Sequence, residues 1–156
     1  MEKITIDRVR DTLWSLGHKL EEAEAIGIFG SLARGWDFGP KSDIDVFVVL
    51  KDKKPGVQTD LMWSRLIRNA LARFERDVTV ITYTLKGLRE ISNWYVLRLA
   101  SEGIIIFDNG GISELFQNIV KAAIDAGLEE RELNGYRYWA FKDIRLGEVK
   151  EIRVRD

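Results

Sequence analysis

The segment "IGIFGSLARGWDFGPKSDIDVFVVL", residues 26–50, decides the fold. Two runs of β-branched and aromatic residues flank a stretch punctuated by Gly30, Gly35, Gly39 and Pro40, which reads as strand, turn-rich loop, strand. The second run opens with Asp43 and Asp45, one residue apart, where a core strand ordinarily carries apolar side chains. Alternation along a strand points both carboxylates to one face, with Cα atoms about 6.6–6.8 Å apart. Two such acids repel each other and resist desolvation unless a cation holds them.

Working outward, Val9, Leu13, Leu16 and Leu20 recur at helical spacing, predicting an amphipathic helix from Ile6 to about Ala25. After the "KDKKPG" break, Trp63, Leu66, Ile67, Ala70 and Phe74 mark a second such helix, and "DVTVITY" follows as a third strand. Strand, crossover helix, strand implies a parallel pair. If the first strand runs antiparallel to the second, its end lies beside Asp43 and Asp45, and the third strand brings Asp77 to the same edge. Three aspartates so gathered suit two divalent cations about 3.5–4 Å apart, an arrangement for in-line displacement at phosphorus. "GSLARG" supplies the complement: Gly30 admits close backbone approach, and Ser31 opens a helical turn whose N–H groups and hydroxyl suit phosphate oxygens.

Further along, Thr84 is a candidate cap for a short helix around "LKGLREI", and "SNWYVLRLASEG" is a helix stopping at Gly103. "IIIF" reads as a strand and Ser113 as the cap of a helix ending at Gly127. Asn134-Gly135 marks a hairpin, and the tail "GEVKEIRV" reads as a last strand.

At 156 residues, the chain is expected to form one domain, with a core of about residues 6–107 and a C-terminal extension of about 108–156. With 24 basic and 25 acidic residues the net charge is −1, which argues against long nucleic acid or an anionic membrane as partner. There is no cysteine, no apolar run of spanning length, and the chain opens directly on "MEKITIDRVRDTL"; the expectation is a cytoplasmic protein.

"GSLARG", "SDIDVFVV" and the aspartate of "RDVTVIT" together resemble the nucleotidyltransferases of the DNA polymerase β superfamily, in particular the small minimal nucleotidyltransferases of bacteria and archaea. The resemblance covers residues 26–83. It implies an α+β fold with a small mixed sheet flanked by helices, extended here by a C-terminal helix and hairpin. It also implies Mg²⁺- or Mn²⁺-dependent transfer of a nucleoside monophosphate from a nucleoside triphosphate, ATP above all, to an acceptor hydroxyl, releasing pyrophosphate. By position, Asp43, Asp45 and Asp77 would be catalytic metal ligands, and Gly30 and Ser31 would hold the triphosphate. Arg34 and Lys41 are candidates for neutralising phosphate charge, against a merely solvated role. The segment from Leu32 to Ser42 is one residue longer than in the antitoxin-type members.

Trp36 and Phe38 either stack on a base or pack the loop, and His18 reads as structural. Members of this type pair with a small helical HEPN-type partner, and the acceptor site is expected to be completed by another chain, a partner or a second copy. The competing reading is an antitoxin-like module that masks a HEPN-type toxin with little catalysis; a third is a nucleotide sensor that binds without turnover.

Overall fold

The computed structural model describes residues 3–91 and 93–155. Its centre is a four-stranded mixed sheet in the order β3-β2-β1-β4, built from β1 (Ala25–Phe29), β2 (Ile44–Leu50), β3 (Val78–Thr84) and β4 (Ile104–Asp108). β1 runs antiparallel to β2, with Phe29 opposite Asp45, and β2 runs parallel to β3, with Asp45 opposite Thr79. Both pairings are as the sequence predicts. The crossover helix is α3 (Gln58–Ala70), which buries Trp63 and Ile67.

Strand alternation divides β2 between two cores. Ile44, Val46, Val48 and Leu50 join α1 (Ile6–Trp14) and α3 on one side. Phe47 and Val49 join α5 (Trp94–Glu102) and α6 (Ile112–Asp125) on the other. Asp45 shares the alternation of Phe47 and Val49, so the candidate carboxylates continue the α5–α6 face past the end of its apolar part. At Gly27 the backbone runs so close to the Phe47 ring and the Ile104 carbonyl that a Cβ would overlap both, which is why glycine interrupts an otherwise bulky strand.

Local chemistry sets the element ends. Thr84 Oγ1 accepts from Gly87 N at 3.1 Å and caps α4 (Leu85–Glu90), as predicted. Asn93 Oδ1 accepts from Tyr95 N at 2.9 Å at the start of α5. Asn134 and Gly135 both have positive φ, 52° and 85°, and turn β5 (Leu128–Leu133) into β6 (Tyr136–Phe141).

Three expectations are corrected. The first helix ends at Trp14: Gly17, at φ 60°, breaks it, and a 3₁₀ turn covers Gly17–Glu22. Ser113 does not cap α6; Asp108 does, its carboxylate accepting from Ile112 N at 2.8 Å and Ser113 N at 2.9 Å. The tail forms no strand among its described residues, although Ile152 and Val154 still pack on the Phe47 core.

Candidate functional site

Asp43 ends the loop before β2, and Asp45 is the second residue of the strand; both are half-buried. Between them stands Thr79 of β3, whose hydroxyl donates to Asp43 Oδ2 at 3.2 Å and also lies near enough to Asp45 to favour that ionised carboxylate. Burial first, then the charge of Asp43, push the Asp45 carboxyl above its ordinary range; Thr79 and the positive charge of Arg34 oppose the shift. A partly desolvated acid beside a like charge is the electrostatic condition that a cation relieves.

Gly30 stands over this pair. Its φ of 70° lies in the left-handed region, and a Cβ there would overlap Asp45 Oδ2. Backbone geometry and space both demand glycine. The next residue, Ser31, opens the single-turn helix α2 (Gly30–Arg34), which Gly35 closes at φ 85°.

The loop that delivers Asp43 is clamped by a residue absent from the sequence-based candidates. Arg76 Nη1 donates to the carbonyls of Gly39, at 3.1 Å, and Ser42, at 2.6 Å, while its guanidinium lies 4.9 Å over the Phe38 ring. Phe38 therefore packs the loop. Thr79 was legible in principle: counting two residues on from Asp77 along a strand puts it on the acidic face. Arg76 carries no such signal.

Asp77 occupies the edge the topology predicts. Its carbonyl accepts from Ile44 N at 2.9 Å, one residue before the Ile44–Val78 pair. Its side chain is exposed, and among the described residues no three acidic or imidazole groups stand close enough to hold one ion together. The structure thus sets Gly30 against Asp45, joins Asp43 and Asp45 through Thr79, and leaves Asp77 exposed at the strand edge.

Arg34 is committed to carboxylates. It donates to Asp37 at 2.8–3.1 Å and to Glu102 of α5 at 3.5 Å, and the Asp37 hydrogen bonds hold the guanidinium pKa above its usual value. Trp36 meets Tyr136 of the hairpin edge-on, with centroids 5.8 Å apart. His18 is exposed, beside Glu21 in the 3₁₀ turn. Trp63 is buried, whereas Trp14 and Trp94 are 57% and 54% exposed, so only part of the tryptophan set lies in the core.

The donor set fits a hard divalent cation. Asp43 and Asp45 present hard oxygen donors from one strand face, and burial together with the neighbouring charge disfavours the ionised form of Asp45, which a bound cation would restore. No helix among the described residues is long and apolar enough to cross a membrane.

Among solved structures, this chain is similar to a toxin–antitoxin complex with AMP-PNP, at 20% identity and a TM-score of 0.48, covering 69% of this chain and 79% of that one. It is also similar to a chain of the tri-AMPylated Shewanella oneidensis HEPN toxin in complex with MNT antitoxin, at 17% identity and a TM-score of 0.46, covering 72% and 80%. No match was found among curated proteins. The family model described as "Nucleotidyltransferase domain" matches residues 9–103, a span that contains β1 to β3, the glycine turn and all three aspartates, and the chain belongs to that family.

Proposed function

We propose that this protein transfers a nucleoside monophosphate, AMP from ATP, to a hydroxyl presented by a protein partner of the HEPN type or by a small molecule, with Mg²⁺ or Mn²⁺. The observation that carries the reading is the Asp43–Asp45 pair under Gly30, bridged by Thr79, in a chain of the nucleotidyltransferase family.

In this reading Asp43 and Asp45 would hold the metal ions, and Asp77 would join them from the rim. Held there, a divalent ion would supply charge neutralisation at the phosphates and a lowered pKa at the acceptor hydroxyl. Gly30 and Ser31 hold the β- and γ-phosphates with backbone N–H groups and the serine hydroxyl. Asp77, exposed beside Asp43, takes the acceptor's proton, and the acceptor oxygen attacks the α-phosphorus as pyrophosphate leaves. Thr79 holds the carboxylates in register, and Arg76 holds the loop that carries the first of them. Arg34 adds positive potential without leaving Asp37.

We read residues 1–156 as one nucleotidyltransferase domain working in the cytoplasm. Support comes from Leu128, Trp139 and Phe141 of the C-terminal hairpin, which pack on the same core as Phe47 and Val49. A net charge of −1 disfavours a long nucleic acid as acceptor.

The test incubates the protein with α-labelled ATP and Mg²⁺ in separate reactions with its co-purifying proteins, with tRNA and with single-stranded DNA. Label is expected on a protein or small molecule. Label entering only the nucleic acids, with salt-sensitive binding to match, would make this a terminal transferase acting on strand ends.

A further inference from the structure

A groove runs between α5 and the β5–β6 hairpin, and one of its walls lies outside the residues that define the family. The family match ends at residue 103, whereas Glu130, Arg137, Tyr138 and Trp139 of the hairpin face Trp94, Tyr95 and Arg98 of α5 across a cavity of about 430 Å³. A second cavity of about 240 Å³ shares Arg98, Ser101, Glu102 and Arg137 with it and continues to Ala33, Arg34 and Trp36. Through these shared residues the two form one groove that reaches the C-terminal end of α2, at Ala33 and Arg34.

The two walls of the groove are tied to each other by their own contacts. Arg98 Nη2 donates to the Arg137 carbonyl at 3.3 Å, joining α5 to the hairpin, and Arg98 and Arg34 both pair with Glu102. Trp94 meets Phe141 edge-on at 6.4 Å. Three arginines, Arg34, Arg98 and Arg137, face Glu102 and Glu130, and Arg34 is further balanced by Asp37, so the groove favours neither a polyanion nor a polycation. Its remaining character is aromatic: Trp94, Tyr95 and Tyr138 are 54%, 70% and 45% exposed, a large aromatic area left in water.

Flat aromatic walls beside both donors and acceptors suit an uncharged planar ring with a mixed hydrogen-bonding edge. Arginine donates to ring nitrogen and carbonyl acceptors, glutamate accepts from exocyclic amines, and the aromatic faces stack. From this combination we infer that the groove binds a nucleobase. This rests on the proposed function, under which a nucleotide's phosphates occupy the turn at the opposite end of α2. The base belongs either to the donor triphosphate or to a nucleoside acceptor, and the chemistry of recognition is the same.

The experiment compares Mg²⁺-ATP, Mg²⁺-tripolyphosphate and adenosine by calorimetry with wild type, Trp94→Ala and Tyr95→Ala, all checked for unchanged melting. Wild type is expected to bind ATP or adenosine through the groove, and each variant to lose about tenfold in that affinity while binding tripolyphosphate as before. Adenosine that competes with ATP identifies the donor's base; adenosine that binds alongside a saturating ATP analogue identifies an acceptor's. Tripolyphosphate that fails to bind wild type, with adenosine still dependent on Trp94, would remove the phosphate reading and leave the groove. ATP and adenosine affinities unchanged in both variants would overturn the inference.

Discussion

A Cβ added to Gly30 would overlap the Oδ2 atom of Asp45, so the glycine turn and the acidic strand are fitted to each other through one missing side chain. Gly30→Ala is expected to fail twice. It strains a backbone at φ 70°, at a cost of about 1–2 kcal/mol, and it drives Asp45 from its position. The variant should melt lower, and Mg²⁺-ATP should no longer raise its melting temperature. A ligand-induced rise equal to that of wild type would contradict the fit.

Asp45 makes stability depend on pH in a definite direction. Its carboxyl is raised by burial and by Asp43, so the folded state binds its proton more tightly than the unfolded state, whose value is about 3.9. Its contribution is present below that value and is lost as pH rises through the higher folded value. Asp45→Asn, without metal, should therefore gain on wild type as pH is raised from about 4 to about 7, as read from urea midpoints. A constant difference across the series would show that Asp45 ionises as freely folded as unfolded.

Thr79 is expected to be a positioning residue. Thr79→Val keeps the shape and removes the hydroxyl that donates to Asp43, so Mg²⁺-ATP affinity should fall by about 1 kcal/mol and Thr79→Ser should restore it. Calorimetric titration of the three proteins decides the matter, and equal affinities would make Thr79 an ordinary strand residue.

How far the sequence foretells this arrangement can be read element by element. Strand pairing follows from the apolar runs and the length of the crossover, because register fixes which face each residue takes. The Asn134-Gly135 turn and the Thr84 cap follow from local chemistry. The early end of α1 does not, because leucines continue at helical spacing through Gly17 and only the backbone reveals the break. Asp108 displaces Ser113 as the cap of α6 because its two carboxylate oxygens take two N–H groups at once. Asp43, Asp45 and Gly30 are visible as a motif, whereas Arg76 holds the loop through backbone carbonyls, which no pattern of side chains announces.

Ser31 tests the proposed phosphate role of this turn without disturbing the fold. Ser31→Ala should weaken ATP by about 1–2 kcal/mol, the scale for losing a hydrogen bond to a charged group, with melting unchanged. An unaltered dissociation constant would leave Ser31 as a helix start and nothing more.

The central claim is that the bond broken lies between the α- and β-phosphates. Wild type and Asp45→Asn are incubated with Mg²⁺ and ATP labelled at the α-phosphate in one reaction and at the γ-phosphate in another, each with its co-purifying proteins freed of pyrophosphatase and ATPase activity. Nucleotidyl transfer predicts that α-label appears on an acceptor, that γ-label appears as pyrophosphate in equal amount, and that both vanish in Asp45→Asn. Release of γ-label by wild type as orthophosphate, or transfer that persists undiminished in Asp45→Asn, would contradict it.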